Sequence, residues 1–160
     1  MKTLKITNPA DGSTLAEVPA DDAASVAAKA ERARRAQPVW QATPLAKRAI
    51  PIARFRLAVA TELETLAKTL TQEVGKPLAQ SRNELNGFLA RIDFFLAEVE
   101  AATADETVFS EGGMTERIGH DPLGVVANIS AWNYPYFVAA NVVPPALLAD
   151  RKSTRLNSSH

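Results

Sequence analysis

Apolar residues recur at helical intervals through the middle of the chain: Leu45, Ile52, Phe55, Val59, Leu63, Leu66, Leu70 and Val74, then Leu85, Phe88, Leu89, Ile92, Phe95, Leu96 and Val99. Residues three, four or seven apart share one face of a helix, so each series predicts an amphipathic helix with a single buried stripe. Thr43-Pro44 suits a helix start, because proline at the first helical position gives up no bonded N–H. Pro51 lies inside that pattern and predicts a kink. Thr61-x-x-Glu64 has the form of a capping box, which predicts a second helix beginning near Thr61. Gly75 and Pro77 supply its stop. The next helix is predicted over about Leu78–Ala102, with Phe88, Phe94 and Phe95 read as core residues rather than a ligand cage.

The two ends have a different texture. Thr3–Thr7 and Thr14–Val18 flank Pro9 and the Asp11-Gly12 pair, which predicts a hairpin. Asp21 or Asp22 then caps an alanine-rich helix reaching about Gln37, whose basic residues read as a solvated face. After Asp105 the pattern alternates around Gly112-Gly113, predicting strands over Thr107–Ser110 and Thr115–Asp121. "LGVVANIS" is a continuous apolar run, as in a strand buried on both faces of a parallel sheet. Pro135 opens a predicted helix through Leu148.

Composition narrows the chemistry. The length of 160 residues suits one domain, and 18 basic against 18 acidic residues leave no net charge to draw the chain to nucleic acid. No apolar run approaches the ~20 residues of a membrane helix, and no signal-peptide pattern follows Met1, so a cytoplasmic setting is expected. There is no cysteine, which removes thiolate metal sites and a thiol nucleophile from this chain. The two histidines, His120 and His160, are too few for a metal site or a triad; no metal is expected, and His120 reads as a surface residue.

The stretch "ISAWNYPYF" lies where the apolar run ends and the last helix begins. Ligands of open α/β sheets bind outside the carboxyl ends of strands, and residues 129–133 occupy that place. The glycine fingerprint of a pyrophosphate turn is missing, since Gly124 precedes the run. Pattern alone therefore allows an α/β nucleotide-type domain. Read on its residues, Asn133 is either a helix N-cap or a functional amide, and Trp132 either a core aromatic or a ligand-facing one.

"DPLGVVANISAWNYPYFVAANVVPPALLA" closely resembles the segment of the NAD(P)-dependent aldehyde dehydrogenase superfamily built around Trp-Asn-(Phe/Tyr)-Pro. "LTQEVGKPLAQSRNEL" resembles that family's earlier Gly-Lys-Pro segment, and "NPADGSTLAEVPA" its usual opening. The resemblance runs in order over about residues 6–149. It implies an α/β fold: the N-terminal part of a cofactor domain (1–149), with helices, an oligomerisation-type arm hairpin at 107–121 and the first strand of a parallel sheet. It implies that Asn133 stabilises the oxyanion formed when a cysteine thiolate attacks an aldehyde. It also implies that Ile129, Ser130, Ala131, Trp132 and Asn133 line the nicotinamide-ribose side of an NAD or NADP site, with Tyr134 packed beneath. The parent reaction is oxidation of an aldehyde to a carboxylic acid, in an enzyme expected to be a homo-oligomer.

Two departures stand out: Ala131 replaces the usual proline before the tryptophan, and Pro144-Pro145 doubles a single one, predicting a distortion near Val142. At residue 150 the resemblance stops. The family continues with a Gly-Asn turn, an apolar strand and a Lys-Pro-Ser-Glu motif, whereas this chain reads "DRKSTRLNSSH". Residues 150–160 are expected to be unstructured and foreign to the fold. The thiol nucleophile, the general-base glutamate and the cofactor lysine of the family would lie downstream, so this chain alone is expected to be inactive. The alternative is a non-catalytic helical and hairpin module that binds partner subunits.

Overall fold

The computed structural model describes residues 2–150; the expectation for residues 151–160 lies outside the described residues. Two helices lie where the long apolar stripe predicted them, α2 (Leu45–Thr61) and α3 (Leu63–Val74), followed by α4 (Leu78–Ala102). Preceding them are the hairpin strands β1 (Thr3–Thr7) and β2 (Thr14–Pro19) and helix α1 (Ala23–Ala42). Following them are the strands β3 (Glu106–Glu111) and β4 (Met114–Ile118), then the short helices α5 (Pro135–Ala140) and α6 (Val143–Ala149).

Helix α4 is the centre of the structure. Ser81, Glu84, Leu85, Phe88, Leu89, Ile92 and Val99 are its buried residues, one face at three- and four-residue spacing. That face meets α2, α3, α5 and α6, and the core adds Ile52, Val59, Ala67, Ala140 and Leu148 from them. Two bidentate ion pairs join the rims: Arg56 with Asp93 (2.9 and 2.8 Å) between α2 and α4, and Arg82 with Glu64 (2.8 Å twice) between α4 and α3.

Phe88 ties three elements together. Its ring lies edge-on to Phe55 of α2 at 6.0 Å and to Tyr136 of α5 at 5.9 Å between centroids. Phe88→Ala removes both contacts and leaves a cavity, so an unfolding free energy lower by about 3–5 kcal/mol is expected in chemical denaturation.

Local signals account for the helix ends. Asp22 accepts from the Ser25 backbone N–H at 2.8 Å while the Ser25 hydroxyl accepts from the Asp22 N–H at 2.9 Å, a reciprocal cap. Gly75 ends α3 in the left-handed region at φ 79°. A Cβ added there would lie 2.7 Å from Cγ of Pro9, so the same glycine lets the first hairpin's turn approach the helix. Gly75→Ala is expected to cost about 1–3 kcal/mol, read as a lower denaturation midpoint at unchanged m-value.

Several expectations are corrected. Thr61 does not cap α3: its hydroxyl donates back to the Leu57 carbonyl at 3.1 Å, and Glu64 is engaged by Arg82. The chain still restarts there, with Glu62 between the helices. Helix α1 runs through Pro38 to Ala42, past the expected end near Gln37. Phe94 is half exposed rather than core; its ring lies edge-on to Phe95 at 5.4 Å. The doubled proline does interrupt the last helix, which divides into α5 and α6 at Asn141-Val142. Asp150, expected in the tail, is buried and accepts from the Gln37 side-chain amide at 3.1 Å.

The apolar run at 125–129 joins no sheet among the described residues; both sheets are two-stranded antiparallel hairpins. A strand is defined by the neighbour that accepts its hydrogen bonds, and sequence pattern records only its side chains. Val125 and Val126 are exposed, and Ile129 is 97% exposed. The β3–β4 hairpin spans Glu106–Ile118, ending before the expected Asp121, and all its strand residues are exposed.

Candidate functional site around Trp132-Asn133

The loop from Ile129 to Tyr134 leads into α5. Ile129, Ala131, Trp132 and Asn133 are exposed, and Ser130 is half-buried. The structure therefore brings the five predicted residues onto one short open ledge. Trp132 is 80% exposed, so it is not a core aromatic. The Asn128 side-chain amide donates to the Ser130 hydroxyl at 2.9 Å, which stiffens the segment before the ledge. Beside Trp132, a cleft of 800 Å³ runs between the α5 start, Phe88 and Tyr136 and the Lys5–Thr7 strand.

Helix α5 begins with Pro135, and Tyr134, not Asn133, occupies the N-cap position. No N-cap side chain satisfies the helix's first N–H groups. They are served instead from across the structure: the backbone N–H groups of Tyr136 and Phe137 donate to Glu84 Oε1 at 2.8 and 3.2 Å. The other carboxylate oxygen of Glu84 pairs with the Lys76 ammonium. Lys76 also donates to the backbone carbonyl of Asn133 at 3.0 Å and lies 4.2 Å from the centre of the Tyr134 ring. The side chains are 9% exposed for Lys76 and 0% for Glu84. A buried charge pair is tolerated when its remaining donors and acceptors are met, and here they are met by the loop itself. Gly87 completes the approach: a Cβ there would come within 3.2 Å of the Phe137 ring. Burial pushes the Tyr136 phenol above its ordinary range, with the charges of Glu73 and Glu84 adding to the effect, so it stays neutral.

The Asn133 side-chain amide makes no hydrogen bond to any described residue, and it faces an open surface. Glu84 and Lys76 are the residues that sequence reasoning missed. Their signal was present: Glu84 places a carboxylate among Ser81, Leu85 and Phe88 on an otherwise buried helix face, and that demands a partner.

An apolar and amide-bearing ledge of this kind is compatible with a nicotinamide-ribose moiety. No charged side chain lies among residues 129–133 to repel it. Elsewhere, a groove of 710 Å³ between α1, α6 and residues 124–128 is lined chiefly by apolar side chains including Val39, Trp40 and Leu147.

The sequence matches the aldehyde dehydrogenase family over residues 1–151. It is 35% identical over 147 residues to the 3,6-anhydro-alpha-L-galactose dehydrogenase of Streptomyces coelicolor, covering 92% of this chain and 30% of that protein. Its fold superposes on an aldehyde dehydrogenase from Brucella melitensis biovar abortus 2308 with a TM-score of 0.88 at 29% identity, over 94% of this chain and 31% of the other. An NADP-dependent glyceraldehyde-3-phosphate dehydrogenase from Bacillus halodurans C-125, solved with NADP, gives a TM-score of 0.85 at 26% identity, covering 94% and 33%. The chain thus spans about three tenths of the length of the relatives it matches, as an N-terminal portion. This chain belongs to the aldehyde dehydrogenase family.

Proposed function

We propose that the chain is the N-terminal part of an oxidoreductase that converts an aldehyde to a carboxylic acid with NAD or NADP, and that Asn133 is its oxyanion donor. The observation that carries this reading is the side-chain amide of Asn133, which is uncommitted among the described residues, since Glu84 already serves the helix start that a capping asparagine would serve. A neutral amide N–H stabilises developing negative charge without titrating, and a fixed backbone makes that stabilisation strong. A bound NAD or NADP would supply the hydride acceptor. Ile129, Ser130, Ala131, Trp132 and Asn133 would hold its nicotinamide-ribose side, and Trp132 offers the broad apolar surface for that contact.

The hairpin β3–β4 would serve subunit contact. Val108, Met114 and Ile118 are half exposed on it, which is apolar surface that association would bury. That exposure also favours the second reading, a non-catalytic module that pairs through its hairpin. Appending the downstream sequence of the parent and following NAD(P)H formation with a panel of aldehydes separates the two. Oxidation supports the enzyme reading; a folded, oligomeric but inert product supports the module.

A further inference from the structure

We propose that Lys76 and Glu84 are positioning residues that clamp the backbone of residues 133–137 and so fix the point from which the Asn133 side-chain amide projects. The inference rests on the reading of Asn133 as oxyanion donor. Three contacts carry it. Glu84 accepts the N–H groups of Tyr136 and Phe137 at 2.8 and 3.2 Å, which anchors the first turn of α5 to α4. Its ion pair with Lys76 turns the ammonium towards the loop, where the Asn133 carbonyl accepts at 3.0 Å. The Tyr134 ring, 4.2 Å from the same nitrogen, takes the remaining side of the cation.

The clamp therefore holds the backbone that leaves Asn133, through its own carbonyl and through the helix that follows. Its side chain is left out of the network, free to face a reacting group. A donor contributes to catalysis only if its direction is set before charge develops. Loop residues gain such direction from supporting groups on rigid elements. Here α4 is the rigid element, and the Gly75-Lys76-Pro77 turn delivers the lysine to it. The alternative is a buried ion pair that only holds helices together.

The test is a double-mutant cycle in the completed enzyme, with amide hydrogen exchange as a second readout. Glu84→Ala is expected to lower kcat by roughly 10²-fold, since small misplacements of a catalytic group carry losses of that order. KM is expected to stay within about twofold. In an Asn133→Ala background the same substitution is expected to change kcat by less than about twofold, because the group it positions is gone. Exchange at the Tyr136 and Phe137 amides is expected to quicken by at least about tenfold. Glu84→Gln keeps an acceptor oxygen and the side-chain volume, so it is expected to recover much of kcat; Lys76→Met takes the place of the alanine variant in the cycle if that one does not fold. Lys76→Met is expected to lower kcat with the exchange at Tyr136 and Phe137 less affected.

An equal loss of kcat in both backgrounds would overturn the proposal, as would unchanged exchange at the two amides. If Asn133→Ala leaves kcat intact, the oxyanion reading fails by itself. The exchange result then decides the clamp alone: quickened exchange keeps it and unchanged exchange removes it.

Discussion

Purified as it stands, the 160-residue chain is expected to form no NADH or NADPH from any aldehyde above a buffer blank. Family chemistry passes through a covalent adduct between a thiolate and the aldehyde carbon, and this chain has no cysteine to form it. The hydroxyl nearest the ledge does not substitute. Ser130 is engaged as acceptor by the Asn128 amide at 2.9 Å, and residues 128–134 contain no histidine or carboxylate to take its proton. An alcohol without an adjacent base is a weak nucleophile at neutral pH. Reading NAD(P)H absorbance with both nucleotides checks this directly. Turnover that survives further purification would show that the chemistry does not need the thiol.

The largest effect of a single substitution is expected at Asn133. In the completed enzyme Asn133→Ala is expected to lower kcat by ~10²–10³, equivalent to about 2.7–4 kcal/mol, with cofactor Kd nearly unchanged. The amide acts on charge that exists only in the tetrahedral adduct, so ground-state binding loses little when it is removed. A helix cap behaves otherwise: its loss lowers stability by about 0.5–2 kcal/mol and leaves turnover largely intact. The structure already weighs against that second pattern. Tyr134 stands at the N-cap, and Glu84 meets the two N–H groups that a cap would meet.

That contrast marks what a sequence can and cannot convey. Signals confined to a few neighbouring residues were legible. Asp22 caps α1 with Ser25, Gly75 stops α3, and the Gly112-Gly113 turn folds a hairpin. The apolar stripe of α4 located the core face correctly at Leu85, Phe88, Leu89, Ile92 and Val99. What failed was every choice made between local and distant partners. Thr61 and Glu64 have the form of a capping box, yet Arg82, eighteen residues on, engages the carboxylate more strongly than a local N–H would. Phe94 has the character of its neighbours but lies off the stripe by about one residue of helical rotation, so it stays half exposed.

The place of the candidate site was legible from the end of the apolar run, and the roles of its residues only through resemblance. No pattern of charge or spacing marks residues 129–133, whose side chains are apolar or neutral. The cap of α5 arrives from a residue 52 positions earlier, a relation that periodicity does not encode. The run at 125–129 carries strand-like side chains but pairs with no strand among the described residues.

Asn133→Ser in the completed enzyme separates a catalytic amide from a capping one, with kcat and the denaturation midpoint measured on the same preparation. Serine caps a helix about as well as asparagine, but its hydroxyl is too short to reach the point the amide N–H occupies. An unchanged midpoint is expected, with a turnover number lowered by about 10²-fold or more. Full turnover in the serine variant would contradict the catalytic reading, leaving Asn133 a residue of the loop rather than of the reaction.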